Sequence, residues 1–143
     1  MVIGKKVARA EISAELNDLS YQVIGAAIEV HNMIGPGYLE SVHEEALCVE
    51  LRLRGMSFER QVKLPVRYKG VVVGEGRLDI LVANSLVLEL KAIEALAKIH
   101  MAQLYSYLKA TGLQLGLLIN FNVLELREGG IKRVILSNTP NKP

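Results

Sequence analysis

The chain has 143 residues, of which 50% are hydrophobic, with a net charge of +2 and one cysteine. This length and composition predict one compact domain with a full apolar core. A single cysteine excludes an internal disulfide and a cysteine-based zinc cage within one chain. The low net charge gives little overall attraction for phosphate, so such attraction would need local clusters of basic residues, for which the candidates are Arg52, Arg54, Arg60 and Lys63.

The sequence has no segment typical of a membrane span or an export signal. The longest apolar region, LQLGLLINFNVLEL, is interrupted by polar residues and is too short to cross a bilayer. The basic N-terminal segment lacks an apolar h-region. Together with the single cysteine, these features predict a soluble cytoplasmic protein with no membrane partner.

A loose arm and a first helix are predicted at the start of the chain. Residues 1–17 have a mixed character and are expected to form the arm. The segment SYQVIGAAIEVHNM follows with helical spacing of its apolar residues, and Asp18 or Ser20 could cap it. The Gly-Pro-Gly sequence at 35–37 ends this helix.

A second helix is predicted from about Tyr38 to Arg54, with Gly55 as its C-terminal stop. Its apolar residues share one face, formed by Leu39, Val42, Ala46, Val49 and Leu53.

The middle of the chain changes to strand patterns. FERQVKLPVRYKG alternates and ends in a turn at Lys69-Gly70, and VVVGEGRLDILV and SLVLELKA follow as two more strands. A helix from about Ile93 to Ala110, stopped by Thr111-Gly112, comes next. LQLGLLINF is then a strand, VLELREGGIKRVIL is predicted to be a hairpin around Gly129-Gly130, and residues 138–143 are a polar tail.

This αα-βββ-α-ββ order indicates an α/β fold. A three-strand meander is antiparallel, and the strand after the helix can return beside it through a crossover. We therefore expect a mixed central β-sheet flanked by helices, in a single domain over residues 1–143. The C-terminal hairpin would present a sheet edge that a second copy could cover, so the sequence is compatible with a homo-oligomer.

Three charged residues interrupt the apolar segment GRLDILVANSLVLELKA. Glu89 and Lys91 share one face of a strand because strand side chains alternate, and on this spacing alone they are ordinary solvent-facing residues. Asp79 is harder to explain, since aspartate is a poor strand residue. If Asp79 faces Glu89, one carboxylate is driven to protonate unless a divalent cation binds both.

The loop between these strands decides whether the carboxylates meet. A two-residue Asn84-Ser85 loop would put Leu90 opposite Asp79. A three-residue Ala83-Asn84-Ser85 loop or a bulge is needed to put Glu89 there. A metal site therefore predicts an irregular turn, and a clean two-residue hairpin would count against the site.

An Asp followed by Glu-x-Lys on the next strand resembles the signature of the PD-(D/E)XK nuclease superfamily, and the wider chain is similar to its GxxExxY branch. The resemblance runs from about Tyr21 to Ser137 and implies a restriction-endonuclease-like core. His43 stands where the branch has Tyr in Gly37-x-x-Glu40-x-x-His43, so the tyrosine hydroxyl is lost, and Leu78 replaces the superfamily's Pro. The segments that carry the resemblance are GPGYLESVHEEAL, RLDILVANSLVLELKA, AQLYSYL and GLLINF.

The resemblance implies a catalytic group of Asp79, Glu89, Lys91 and Glu40. Asp79 and Glu89 would bind Mg²⁺, or Mn²⁺ as a substitute, with the Leu90 backbone carbonyl as an extra ligand. Lys91 would hold or activate the attacking water and stabilise negative charge. Glu40 would complete the metal shell, directly or through water, although a first-turn glutamate is also favoured by the helix dipole alone.

Gln103 and Tyr107 lie four residues apart on one helix face. With Leu96 and Ile99 on the same stripe, they could simply be two polar tips on a core-facing surface. They also resemble the Gln-x-x-x-Tyr motif of RecB-like nucleases, which implies contact with the substrate or with the metal ligands.

The resemblance, together with the unbalanced negative charge of these residues, implies a Mg²⁺-dependent nuclease that hydrolyses phosphodiester bonds, with DNA favoured over RNA as its partner. Two alternatives stay open. A non-catalytic nucleic-acid- or protein-binding module could retain the fold without binding a metal. In a purely structural protein, Lys91 would bond directly to Asp79 or Glu89, and there would be no cleft.

Overall fold

The computed structural model describes residues 12–136. Helices and strands follow one another in the predicted αα-βββ-α-ββ order. The elements are α1 (Ala14–Ile34), α2 (Glu40–Leu53), β1 (Phe58–Tyr68), β2 (Val71–Val82), β3 (Leu86–Lys91), α3 (Lys98–Thr111), β4 (Leu115–Asn120) and β5 (Ile131–Ile135). Within residues 12–136, none of the helices has the length and hydropathy needed to cross a membrane.

The five strands form one sheet in which the spatial order follows the chain order, β1-β2-β3-β4-β5. β3 and β4 run parallel, and the other neighbouring pairs are antiparallel. Parallel neighbours need a long connection, and α3 provides it. The predicted α/β fold with a mixed sheet is confirmed.

The helices cover both faces of the sheet. α1 and α2 cover one face, where Leu88 and Leu90 belong to the larger apolar cluster. α3 covers the other face, where Leu104 shares a second cluster with Val87. Val87 is fully buried and Glu89 is only 5% exposed. The interpretation of Glu89 as a solvent-facing residue on a half-exposed strand is therefore wrong.

Helix α1 begins at Ala14, earlier than predicted, because Ser13 is its N-cap. The Ser13 hydroxyl accepts a hydrogen bond from the Leu16 N–H at 3.1 Å, which satisfies one of the free amides of the first turn. The predicted caps, Asp18 and Ser20, both lie inside the helix.

The predicted arm of residues 1–17 thus overlaps the start of α1, since residues 14–17 are helical. Residues 1–11 and the predicted tail at 138–143 lie outside the described part of the chain. The assignment of the whole chain to a single domain stays a prediction.

The buried face of α2 is not the apolar stripe that the sequence indicated. Leu39, Val42, Val49 and Leu53 are between 40% and 77% exposed. The buried side chains are instead His43, Glu44, Leu47, Cys48 and Leu51. Tertiary partners select this face, because the ring of His43 stacks on the ring of Phe121 and Glu44 accepts hydrogen bonds from β1.

Helix α3 begins at Lys98 rather than at Ile93. Ile93 is held outside the helix by Asn120, whose side-chain oxygen accepts the Ile93 N–H at 3.0 Å and whose amide donates to the Ile93 carbonyl at 2.9 Å. The predicted stop is confirmed, because Gly112 has a φ of 77° and such left-handed residues commonly end helices.

The predicted C-terminal hairpin around Gly129-Gly130 is wrong. The partner of β5 is β4, with Leu115 opposite Ile135, and residues 121–130 form a loop. In that loop the Gly130 N–H donates to the Leu126 carbonyl at 3.1 Å, and a Cβ on Gly130 would lie 2.6 Å from the same oxygen. Gly130 is therefore required by a close backbone approach and not by a two-residue turn.

Candidate active site

The turn between β2 and β3 has three residues, Ala83, Asn84 and Ser85, because Val82 pairs with Leu86. Ala83 and Asn84 have φ values of 52° and 54°, in the left-handed region that non-glycine residues seldom adopt. The predicted irregular turn is confirmed. In this register Ile80 lies opposite Leu88. The next position along the two strands therefore places Asp79 opposite Glu89.

Side chains replace the backbone ladder at this step. The Asp79 N–H donates to Glu89 Oε2 at 3.2 Å, and the Leu90 N–H donates to Asp79 Oδ2 at 2.8 Å. Each carboxylate thus accepts a hydrogen bond from the backbone of the opposite strand. Beyond this point β2 pairs with β1 and no longer with β3.

The alternation of β2 also fails at Asp79. Ile80 belongs to the apolar cluster under α1 and α2, whereas Leu78 belongs to the cluster under α3. Residues two apart in a regular strand would face the same side. On the neighbouring strand, Gln61 has a φ of 53°, and the ladder omits the Gln61–Asp79 position. Asp79 therefore sits at a local irregularity of the sheet.

Side chains from α2, β1, β2, β3 and α3 line a cleft of about 440 Å³. The structure brings together in it all six side chains proposed for the site from the sequence. The residues of the described range 12–136 that line it are Glu40, Lys63, Glu75, Gly76, Arg77, Asp79, Glu89, Lys91, Gln103 and Tyr107. The Leu90 side chain is fully buried in the core, so this residue could contribute to the site only through its backbone.

A larger cavity, of about 660 Å³, lies where the start of α1 meets the β2–β3 turn and the end of α3. Glu15 is its one charged lining residue in the described part of the chain. The smaller cleft is the better candidate for chemistry, because it combines carboxylates with cationic groups.

Burial raises the pKa of Glu89 to about 8, and the charge of Asp79 adds to the effect. Burial also raises the pKa of Asp79, against the Leu90 N–H bond, which lowers it. The pKa of Glu40 is raised by burial and by the charge of Asp79. At neutral pH this group therefore favours an added proton or a bound cation, since neighbouring buried carboxylates cannot easily all ionise.

Lys91 lines the cleft without bonding to either carboxylate. The ion pairs among residues 12–136 do not include Lys91. The interpretation as a purely structural salt bridge required a direct bond from Lys91 to Asp79 or Glu89 and the absence of a cleft. Both requirements fail, so that interpretation is wrong.

The donor atoms fit a hard divalent cation held by two carboxylates. Asp79 and Glu89 each use one oxygen to accept a backbone N–H, which leaves the second oxygen of each for a ligand bond. Within residues 12–136 there is no preformed cluster of three acidic, histidine or cysteine side chains. Mg²⁺ does not need one, because it is commonly held by one or two carboxylates together with water and substrate phosphates.

Gln103 and Tyr107 share a face of α3, and Gln103 Nε2 donates a hydrogen bond to the Tyr107 hydroxyl at 3.3 Å. Burial and the charge of Glu89 raise the pKa of Tyr107, so the phenol stays protonated at neutral pH. A Cβ on Gly76 would lie 3.1 Å from the Tyr107 ring. Sequence reasoning missed Gly76, although a glycine inside a strand signals such a close approach.

His43 does not line the cleft but supports α2. Its Nε2–H donates to the Gly35 carbonyl at 2.8 Å, and its ring stacks on Phe121 with centroids 4.6 Å apart. The imidazole therefore makes a hydrogen bond of its own despite the loss of the tyrosine hydroxyl. This contact ties the 35–37 turn to the helix whose first residue is Glu40.

The basic residues singled out in the sequence do not form one phosphate-binding cluster. Arg54 and Arg60 form ion pairs with glutamates of α2, and Arg52 lies 5.3 Å from the ring centroid of Phe58. Of the four candidates, Lys63 alone lines the cleft. Arg77, which the sequence reasoning missed, lies directly opposite Lys63.

The fold and the cleft define an α/β protein with paired carboxylates and a lysine at the point where β2 stops pairing with β3. Residues 17–134 match the family model of the PD-(D/E)XK nuclease superfamily. Because the match covers most of the chain, the chain belongs to this superfamily, whose nucleases generally use divalent metal ions. Comparisons with curated proteins and with solved structures gave no match.

Proposed function

We propose that this protein is a metal-dependent nuclease whose active site is the cleft around Asp79, Glu89 and Lys91. The observation that carries the proposal is the pair of buried carboxylates, joined by reciprocal hydrogen bonds to the opposite backbone and lying beside a lysine that they do not bind. Buried carboxylates without a bound counter-charge destabilise a fold. A bound cation would balance the charge of the carboxylates, and a phosphate substrate would balance the charge of the lysine.

Asp79 and Glu89 would hold the ion, for which we propose Mg²⁺, with Mn²⁺ as a substitute. The Leu90 carbonyl would add a ligand, and Glu40 would bind directly or through water. The bound ion supplies Lewis acidity and lowers the pKa of a coordinated water. Lys91 would donate a hydrogen bond to the attacking water or to the phosphate oxygen on which negative charge develops.

Tyr107 would act as a neutral hydrogen-bond donor to the substrate phosphate or to Glu89. Its raised pKa supports this role, because a phenolate would repel the carboxylates. Gln103 would fix the phenol through the hydrogen bond between them. Both are therefore proposed to position the reacting groups rather than to exchange protons with them.

The finer assignment is to the GxxExxY branch with DNA, rather than RNA, as substrate. GPGYLESVHEEAL supports the branch, with His43 as a departure from its pattern. A cytoplasmic location and a homo-oligomeric state stay predictions. The buried free thiol of Cys48 is compatible with a reducing compartment.

The deciding experiment compares the wild-type protein with Lys91→Ala on single- and double-stranded DNA and RNA, with Mg²⁺ or Mn²⁺. Loss of a transition-state donor should lower kcat by about 10²–10³-fold. Lys109→Ala is a matched control, because Lys109 is exposed on α3 and does not line the cleft. Equal activity of wild type and Lys91→Ala would refute the assigned site.

Titration calorimetry with Mn²⁺ separates the nuclease from a non-catalytic binding module. Mn²⁺ should bind the wild-type protein and bind Asp79→Asn at least tenfold more weakly. A wild-type protein that binds DNA but no divalent ion would support the binding module instead.

A further inference from the structure

β1 and β2 extend beyond the rest of the sheet as a two-stranded ribbon. β3 pairs with β2 only at residues 80–82, whereas the β1–β2 ladder continues to Tyr68 and Val71. We define the β1–β2 ribbon as residues 62–78. Its β1 strand would span roughly 23 Å at about 3.3 Å per residue, and residues 65–75 are all exposed.

The ribbon concentrates the positive charge of the molecule. It contains one acidic residue, Glu75, and four basic residues, Lys63, Arg67, Lys69 and Arg77. Its formal charge is therefore +3, against +2 for the whole chain. Among the ion pairs of residues 12–136, none includes these four cations, so they remain available to an anionic partner.

Two of the four basic residues of the ribbon lie in the cleft. Lys63 and Arg77 are direct cross-strand partners, and both line the cleft beside Lys91. Like charges placed directly opposite each other destabilise a sheet. A phosphate bound between Lys63 and Arg77 would relieve this repulsion.

The tip of the ribbon is apolar as well as basic. Tyr68, Val71, Val72 and Val73 are between 52% and 63% exposed. Arg67 and Lys69 flank Tyr68 in the sequence, and Arg67 lies opposite Val72. This combination suits a surface that carries both phosphates and apolar groups, such as the thymine methyls in the major groove of DNA.

We propose that the β1–β2 ribbon inserts into the major groove of a B-form DNA duplex and holds the duplex across the cleft. The inference rests on the proposed nuclease function, because it assumes a nucleic-acid substrate. The major groove of B-DNA admits a two-stranded ribbon, whereas that of an RNA duplex is too deep and narrow for side chains to read. The ribbon therefore selects double-stranded DNA.

A second copy of the chain fits the ribbon less well. In a two-fold symmetric dimer the same patch lies on both subunits, so two ribbons of charge +3 would face each other. Their repulsion opposes dimerisation through the tips, while the same charge attracts a polyanion.

The test measures binding without catalysis, by fluorescence anisotropy in EDTA with a labelled DNA duplex and an RNA duplex of the same sequence. The ribbon variant is Arg67→Gln with Lys69→Gln, and the control is Lys109→Gln with Lys132→Gln, which removes two exposed lysines elsewhere. The ribbon variant should bind the DNA duplex at least tenfold more weakly than the control. The slope of log K against log salt should fall by about 1.8 for two lost phosphate contacts, and wild type should prefer DNA duplex to RNA duplex by at least tenfold.

Equal binding of the DNA duplex by the ribbon and control variants would overturn the inference, as would equal affinity of wild type for the two duplexes or failure to bind either. Sedimentation velocity adds a further arm. If the ribbon variant alters self-association and leaves DNA affinity at the control level, the ribbon is an interface between copies and the inference is wrong. Ribbon-dependent DNA binding without cleavage in Mg²⁺ or Mn²⁺ would support the inference while refuting the nuclease.

Discussion

The two ends of β2 lie in opposite surroundings. At one end, Ile80 and Val82 are fully buried between neighbouring strands and under helices. At the other end, Val71 to Val73 are more than half exposed, and Val71 and Val72 pair with β1 alone. Asp79 lies where one environment gives way to the other. Asp79 is only 8% exposed and still lines the cleft. A side chain in the buried end would not reach the cleft, and one in the exposed end would not be buried.

The largest expected effect is on the free energy of unfolding, and it tests the difference in burial between the two ends of β2. Ile80→Ala should lower the free energy of unfolding by about 2–5 kcal/mol, because it empties a fully buried site. Val72→Ala, at a side chain that is 52% exposed, should change it by about 0.5 kcal/mol or less. Urea denaturation of both variants measures the difference. Similar losses would mean that the ribbon belongs to the folded core.

The next effect is a pH dependence of stability that comes from Glu89, which lies opposite Asp79 at the boundary between the two ends. The pKa of Glu89 is raised to about 8 in the folded protein, far above the usual value near 4.3 for an unfolded glutamate. Between these values the folded state binds more protons than the unfolded state, so stability falls as pH rises, by at most about 1.4 kcal/mol per pH unit from this group. The metal-free protein should therefore be more stable at pH 5 than at pH 8.

Urea denaturation in EDTA at several pH values checks this sign. Glu89→Gln should flatten the dependence and stabilise the protein at pH 8. Glu125→Gln, at an exposed residue of the loop after β4 that does not line the cleft, should leave the dependence unchanged. Mn²⁺ should also flatten it in wild type, because a bound cation favours the ionised carboxylates. A wild-type protein that gains stability as the pH rises from 5 to 8 would contradict the assigned environment of Glu89.

Local sequence patterns were sufficient for the order of elements and for the register of the site. Alternation and helical spacing predicted the αα-βββ-α-ββ order, which the structure confirms, although residues 121–130, predicted to belong to a hairpin, form a loop. The need to bring Asp79 to Glu89 predicted a three-residue turn or a bulge, and the structure has the three-residue turn. The element order and the turn both depend on residues close together in the chain, so the spacing of apolar residues or the length of a loop is enough to predict them.

Two of the errors arose where residues distant in the sequence decide the structure. The buried face of α2 is selected by Phe121 and by strand β1, and the start of α3 is set by Asn120. No periodicity within either helix contains this information. Lys63 and Arg77 were missed as a pair for the same reason, since they become neighbours only through the β1–β2 register.

The smallest predicted effect concerns the Gln103–Tyr107 pair of α3, where the Tyr107 ring lies close to Gly76 of the ribbon. Tyr107→Phe should lower nuclease activity by about 10–100-fold, the range typical when a residue that orients metal ligands is lost. Gln103→Ala should cost less, because it removes only the hydrogen bond that fixes the phenol. If Gln103 acts through Tyr107, the double variant should be no worse than Tyr107→Phe, since residues acting in series are not additive. Steady-state kinetics on the DNA substrate tests this, with Ser106→Ala as an exposed control on the same helix. Fully additive losses would show that Gln103 contacts the substrate independently and that the hydrogen bond between the two residues is incidental.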